Sequence, residues 1–178
     1  MVPFTTVTGI AAPLIRDDIN TDEITPIQIA RTLKPDYAEL LFMRTRQRAD
    51  GSPDPDFVFN KPQFRRPAIL VAGRNFGCGS SREQAPEALR LLGVSALIAP
   101  SFAGLFYRNC FNLGLPAVVC ADAGRIRQGD DVKIDFAGKI QNVTKGETYT
   151  CESIPEHLQT LVRDGGLLPH LEKRLKRA

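Results

Sequence analysis

Residues 68–99, AILVAGRNFGCGSSREQAPEALRLLGVSALIA, contain the pattern that decides the fold. The apolar run Ala68–Ala72 predicts a buried strand, and Glu83–Leu92 has the spacing of an amphipathic helix that ends at Gly93. A second apolar run, Ala96–Ala99, predicts the next strand. This strand–helix–strand order is typical of parallel strands that are joined by a helical crossover.

The same alternation continues towards the C-terminus. Ser101 is expected to cap a second helix that stops at Gly114, and Ala117–Cys120 predicts a third strand. Alternating apolar residues at 132–143 then predict a β-hairpin, and a capping box at Ser153–Glu156 predicts the start of a last helix. The expected fold class is therefore α/β, with a β-α-β-α-β central block followed by a C-terminal hairpin and helix.

Length and composition narrow the class of protein. The 178 residues, 43% of them hydrophobic, are expected to form a single domain over 1–178, with a long surface loop at 44–63. A net charge of +3 is too small to indicate nucleic-acid binding. We see neither an apolar run of membrane-spanning length nor a signal peptide, so we expect a cytoplasmic protein.

The four cysteines do not form a metal-binding pattern. They are widely spaced and include no C-x-x-C pair, at Cys78, Cys110, Cys120 and Cys151. This spacing signals neither a zinc site nor an iron–sulfur cluster on the chain itself, so we predict no metal ligands here. Free thiols in a reducing compartment are the expected state.

The turn between the first predicted strand and its helix, NFGCGSSRE at residues 75–83, concentrates glycine, serine and arginine. Such a turn aims backbone N–H groups and the positive end of a helix at one point, which suits an anion. The guanidinium of Arg82 adds a planar fork for a carboxylate or phosphate. Plain helix capping by a serine is the alternative, and the residues alone leave both interpretations open.

Four stretches of the chain are informative as an ordered set: NTDEITP at 20–26, DPDFVFN at 54–60, NFGCGSSRE at 75–83 and IAPSFAGLFYRNCF at 98–111. Together they resemble the small subunit of 3-isopropylmalate dehydratase, the swivel domain of the aconitase superfamily. The resemblance is close over roughly residues 5–120 and looser beyond them. It implies a swivelling β/β/α domain, in agreement with the pattern of strands and helices.

The resemblance also implies an activity. It indicates the small subunit of a heteromeric hydro-lyase that isomerises 2-isopropylmalate and 3-isopropylmalate by dehydration and rehydration in leucine biosynthesis. The partner would be a large subunit that carries a 4Fe-4S cluster, and this chain would hold no cofactor and be active only in the complex. The alternatives are the small subunit of a citraconate, dimethylmalate or homoaconitate-type hydratase, or a non-catalytic module that binds carboxylate or phosphate.

Site residues follow from the resemblance position by position. The first serine of the Gly-Ser-Ser-Arg run acts as the base in this family, which assigns that role to Ser80. Ser81, Arg82 and the backbone at Gly79 become ligands of the substrate carboxylates, and Asp22 becomes a partner in the proton network. Without the resemblance, an ordinary Asx-turn role is the better interpretation of Asp22.

Further predictions concern the segment after the acidic motif and two more residues in and after the turn. Arg31 and Lys34 follow the acidic motif and are further cationic candidates for the substrate. Gln84 departs from the histidine that is usual in the family, and glutamine cannot titrate, which leaves the identity of the diacid open. Cys78 invites interpretation as a nucleophile, but no histidine lies nearby in the sequence, so an inert thiol is expected.

Overall fold

The computed structural model describes residues 6–26, 40–64 and 69–176, and within these ranges seven strands form one sheet. In chain order the strands are β1 (Thr6–Leu14), β2 (Ile69–Ala72), β3 (Ala96–Ala99), β4 (Ala117–Val119), β5 (Asp131–Asp135), β6 (Lys139–Asn142) and β7 (Glu147–Thr150). Their order across the sheet is β4-β3-β2-β1-β5-β6-β7. The sheet therefore has a parallel half and an antiparallel half that meet at β1.

The parallel half confirms the predicted β-α-β-α-β block. Strands β1 to β4 pair in parallel, and every residue of β2 and of β3 is buried. Helix α2 (Gln84–Leu92) connects β2 to β3, and α3 (Gly104–Asn112) connects β3 to β4. Continuous apolar strands are what a parallel sheet covered on both faces requires, which explains why the sequence predicted this block well.

Strand β1 belongs to both halves of the sheet. Its residues Ala11–Leu14 pair in parallel with β2, whereas Thr6–Ile10 pair antiparallel with β5. The sequence pattern did not predict β1, because Gly9 and Pro13 lower its strand propensity and its burial does not alternate regularly. Sharing one strand gives the two halves a common hydrophobic core.

The antiparallel half is larger than expected. The predicted hairpin is present as β5 and β6, and β7 extends it to a meander in which Tyr149 is the buried residue of the last strand. Helix α4 (Glu156–Asp164) confirms the predicted last helix, although Pro155 and not Ser153 is its N-cap and no side chain caps it. A further helix, α5 (Leu167–Leu175), follows after Gly165 and Gly166.

The expected surface loop at 44–63 is buried in part. Residues 44–57 are exposed or half-buried, but Val58 and Phe59 lie in the core. The ring centroids of Phe59 and Phe42 are 5.5 Å apart. The amide of Asn60 donates to the carbonyls of Arg46 and Asp54, at 2.7 and 2.8 Å, and so closes the loop. Aromatic residues therefore anchor a segment whose composition predicted only surface structure.

A short helix, α1 (Thr21–Ile24), follows β1, and single 3-10 turns lie at Val58–Asn60, Pro62–Phe64 and Ala123–Arg125. Asn20 caps α1 by accepting a hydrogen bond from the N–H of Glu23 at 2.8 Å. The helical spacing predicted for residues 27–41 lies almost entirely outside the described residues. Throughout the part of the chain that the structure describes, no helix has both the length and the apolar character needed to cross a bilayer.

Candidate active site

The candidate site lies where β1 and β2 end. Two loops leave the carboxyl ends of these parallel neighbours and continue side by side beyond the sheet. Three backbone hydrogen bonds join them: Asp18 N–H to Arg74 O (2.9 Å), Gly77 N–H to Ile19 O (2.8 Å) and Thr21 N–H to Cys78 O (2.8 Å). This ladder brings helix α1 against the glycine–serine turn, at the edge of a parallel sheet where ligands commonly bind.

Glycine is required within the turn at Gly77. Its φ is +78°, and a Cβ built there would lie 2.1 Å from the ring of Phe106 on α3. Gly79 also has a positive φ, of +99°, which ordinary side chains rarely adopt. The two glycines thus let the backbone pass close over α3 and then reverse, which presents the two serines that follow at the surface.

Two residues, one on α3 and one before it, make hydrogen bonds to the glycine–serine turn. The amide of Asn109, a buried residue, donates to the carbonyl of Ser81 at 2.9 Å. The sequence predicted that Ser101 caps α3, and this prediction is wrong. The helix begins at Gly104, and its N-cap is Ala103. The hydroxyl of Ser101 accepts the N–H of Asn75 at 2.8 Å instead, and so fixes the start of the turn.

Four side chains form a connected network at the surface of the turn. Arg82 Nε donates to Ser80 Oγ at 2.5 Å, and a terminal nitrogen of the same guanidinium donates to Asp22 Oδ1 at 2.5 Å. The hydroxyl of Thr21 lies 3.1 Å from Ser80 Oγ and accepts the N–H of Ser80 at 3.2 Å. The order of contacts is therefore Asp22, Arg82, Ser80 and Thr21.

The two serines do not cap the following helix. Helix α2 begins at Gln84, its N-cap is Glu83, and no side chain accepts a capping hydrogen bond there. The capping interpretation of Ser80 and Ser81 is therefore wrong. The N–H of Ser80 donates to the hydroxyl of Thr21 and so is not free to bind an anion. The donor that clearly reaches the Ser80 hydroxyl is the side chain of Arg82.

This arrangement has a definite electrostatic character. Asp22 accepts from a terminal nitrogen of the guanidinium, and this ion pair orients Nε of Arg82 towards the serine oxygen. The Arg82 side chain is 18% exposed and that of Asp22 is 57% exposed. A cationic donor at hydrogen-bond distance favours negative charge on the serine oxygen, which is the property that a serine base needs.

The cysteines and histidines stand apart from this network. Cys78 donates to the carbonyl of Asp18 at 3.3 Å, and burial raises the pKa of the Cys110 and Cys120 thiols. Burial is also the main cause that raises the pKa of Cys151 to about 11. Within the described ranges, no three His, Cys, Asp or Glu side chains are grouped as metal ligands.

The remaining predicted residues have mixed outcomes. Ser81 is exposed beside Ser80, and Gln84 is the exposed first residue of α2. Arg31 and Lys34 lie outside the described residues. The residue that sequence reasoning missed is Thr21, although the acidic motif that contains Asp22 also contains this threonine.

The chain is similar to known proteins along most of its length. The family model described as the aconitase C-terminal domain matches residues 1–122. The 3-isopropylmalate dehydratase small subunit of Moorella thermoacetica is 41% identical over 162 residues, which cover 90% of this chain and 92% of the relative. That of Caldicellulosiruptor saccharolyticus is 44% identical over 163 residues, which cover 90% of this chain and 88% of the relative.

A solved structure shares the fold as well. The crystal structure of 3-isopropylmalate dehydratase from Methanocaldococcus jannaschii aligns with a TM-score of 0.79 and 34% identity, and the alignment covers 96% of each chain. The resemblance predicted from the four sequence motifs is therefore confirmed over nearly the whole chain. The chain belongs to the aconitase C-terminal domain family, within the group whose members are 3-isopropylmalate dehydratase small subunits.

Proposed function

We propose that this chain is the small subunit of a hydro-lyase that interconverts 2-isopropylmalate and 3-isopropylmalate in leucine biosynthesis. The names and coverage of its relatives support this function. The single observation that carries the mechanism is the exposed hydroxyl of Ser80, with Arg82 Nε donating to it at 2.5 Å.

The reaction requires a base that removes a proton from a carbon next to a carboxylate. A serine oxygen can do so only where hydrogen-bond donors stabilise its anion, and Arg82 provides such a donor. In the dehydration direction, the C–H bond breaks, its proton passes to Ser80 Oγ, and its electron pair forms the carbon–carbon double bond as the hydroxyl leaves. Rehydration reverses these steps with the hydroxyl on the neighbouring carbon.

Asp22 acts in this mechanism through Arg82. Its Oδ1 accepts from the guanidinium of Arg82 and not from the Ser80 hydroxyl, so its role is to orient the arginine. The hydrogen bonds described for Arg82 use Nε and one terminal nitrogen, so other N–H groups of its guanidinium can donate to a substrate carboxylate, which matches its fork geometry. Ser81, the backbone at Gly79 and the cationic residues Arg31 and Lys34 are further proposed contacts to the diacid.

The departure of the hydroxyl requires a Lewis acid. We assign the 4Fe-4S cluster that would supply it to a large subunit, and within the described residues no side chains are grouped as metal ligands. The term small subunit in the names of the relatives implies such a partner. The active site would then be completed where the exposed turn of this chain meets the large subunit.

The test is reconstitution of the complex. The chain is produced together with a large subunit from the same genome, purified without oxygen, and assayed with 2-isopropylmalate, citraconate, dimethylmalate and homoaconitate. We expect conversion of 2-isopropylmalate by the complex, and neither activity nor bound iron for the chain alone. A complex that carries its cluster but prefers another diacid would overturn the assigned substrate, and an active isolated chain would overturn the division of roles.

A further inference from the structure

We propose that Thr21 is a second hydrogen-bond donor to the Ser80 oxygen and helps to stabilise its anion. This inference rests on the proposed function, because it concerns the residue that acts there as the base. Thr21 is 1% exposed, and its hydroxyl lies 3.1 Å from Ser80 Oγ. Packing of the threonine methyl group does not explain why the buried hydroxyl of the same side chain faces the reacting oxygen.

The hydrogen bonds around Thr21 determine where its single hydroxyl proton can go. Its oxygen already accepts the N–H of Ser80 at 3.2 Å, which uses a lone pair and leaves the proton free to be donated. Two acceptors are within reach: Ser80 Oγ at 3.1 Å and the carbonyl of Ser80 at 3.5 Å. Negative charge on Oγ makes that oxygen the stronger acceptor, so the anion draws the proton of Thr21.

Thr21 is also held in place independently of this contact. It is the first residue of α1, which Asn20 caps, and its own N–H donates to the carbonyl of Cys78 at 2.8 Å. A donor that is fixed before the charge develops needs no reorganisation during the reaction. Helix α1 therefore supplies both supports of the base, since Asp22 orients Arg82 and Thr21 contacts Ser80 directly.

With both donors in place, Ser80 Oγ accepts from Arg82 Nε and from Thr21 Oγ1 and keeps one direction for the substrate proton. The ionised side chains in this hydrogen-bonded set are Asp22 and Arg82. A purely structural role would differ, because Thr21 would then serve only as the acceptor for the N–H of Ser80. The two roles predict different responses of the pH profile to loss of the hydroxyl.

The experiment compares Thr21→Val, Thr21→Ala and Thr21→Ser in the complete two-subunit enzyme, beside the wild type and Ser80→Ala. Valine keeps the shape of threonine without its hydroxyl, alanine removes the hydroxyl and adds no bulk, and serine retains the hydroxyl. We expect kcat to fall about 10- to 100-fold for the valine and alanine variants with KM nearly unchanged. We expect the acidic limb of the pH profile of kcat/KM to move to higher pH, because the Ser80 anion forms less readily without the hydroxyl of Thr21.

Thr21→Ser should keep the wild-type pH profile and lie within a few-fold of wild-type kcat. Wild-type kcat and an unmoved acidic limb in a hydroxyl-free variant that assembles would overturn the inference, and so would a fall in kcat with an unmoved limb. Failure of the proposed function looks different. In that case the wild-type complex does not convert 2-isopropylmalate, or Ser80→Ala remains active, whatever the Thr21 variants do.

Discussion

Two polar networks border β1, and only one of them is open to solvent. The closed one surrounds Asp130, a residue that is 5% exposed at the start of the antiparallel half. Its Oδ2 accepts from the amide of Asn142 at 2.6 Å and from the N–H of Arg127 at 2.8 Å, and the ammonium of Lys145 lies 3.3 Å away. The carbonyl of Asp130 also accepts the N–H of Ala11, which ties this network to β1.

The open network starts in the same way, with an aspartate bound to a cation, but it ends differently. Asp22 holds Arg82, and Arg82 points to a serine hydroxyl that remains exposed. In the closed network the donors of Arg127, Asn142 and Lys145 converge on one buried carboxylate, so its value is structural. In the open network the last oxygen keeps a free direction, and under the proposed function this oxygen takes part in the reaction. We therefore propose that the same pairing of charges serves stability in one half and reactivity in the other.

The largest effect is expected from removing the end of the open network. Ser80→Ala in the two-subunit enzyme should lower kcat at least ~100-fold with little change in KM, because the base acts in the transition state. Steady-state assays with 2-isopropylmalate measure this. Co-purification with the large subunit is the control, since a surface turn contributes little to folding. Near-wild-type activity in an intact complex would mean that Ser80 is not the base.

A substitution in the closed network should lower the free energy of unfolding and leave kcat nearly unchanged. Asp130→Asn removes the charge that three donors share, and we expect it to lower the free energy of unfolding by about 2 kcal/mol. Urea denaturation of the purified chain measures the change. The assembled enzyme should keep kcat within twofold, because Asp130 lies outside the site. A large loss of kcat at unchanged stability would contradict the division between the two networks.

The same substitution in the open network provides the matched control. Asp22→Asn keeps the shape of the side chain but weakens its hold on Arg82, so we expect kcat to fall about 10-fold. The free energy of unfolding should change by less than about 0.5 kcal/mol, because Asp22 is largely exposed. Loss of stability comparable to that of Asp130→Asn, with kcat unchanged, would show that Asp22 supports the fold and not the base.

The smallest expected effect is on the free energy of unfolding at low pH. Burial alone would raise the pKa of Asp130, but hydrogen bonds from the Arg127 N–H, Asn142 and Lys145 outweigh it and hold the pKa below its ordinary value. A lowered pKa in the folded state means that this stabilisation is present above about pH 4 and is lost as pH falls through the folded pKa. The stability difference between wild type and Asp130→Asn should therefore shrink in acid.

Unfolding at a series of pH values from 7 downwards tests this, at matched ionic strength. The difference between the two proteins is the useful quantity, because hydrogen bonds from Lys173 and His170 also lower the pKa of Asp164, which titrates in the same window. A difference that stays constant or grows below about pH 4 would show that Asp130 is not the source.

How far the sequence predicts this fold depends on where each contact lies along the chain. Stretches 69–72 and 96–99 are uniformly apolar and are separated by a helix that ends at Gly93, so local pattern is enough to predict them. Strand β7 has one buried residue, Tyr149, among polar neighbours, and its local pattern carries little strand signal. Helix α5 has no buried residue and lies against both α3 and α4, so its own sequence pattern says little about its position.

The candidate site shows the same limit. Ser80 and Arg82 are two residues apart, and their pairing was within reach of sequence reasoning. The contact between Thr21 and Ser80 joins residues 59 apart, and it exists because β1 and β2 are neighbours in the sheet. Because β1 itself was not predicted, the meeting of its loop with the glycine–serine turn could be inferred only through the family resemblance.

Strand β1 has a further consequence for how the protein is made. It precedes every other described strand along the chain, yet its partners include Ile69 on one edge and Asp135 on the other. At ribosomal speeds, the last of these leaves the ribosome on the order of ten seconds after β1. For that time one edge of β1 has no partner strand, and an unpaired edge invites association with other chains. Association at this edge during synthesis would lower the yield of folded protein.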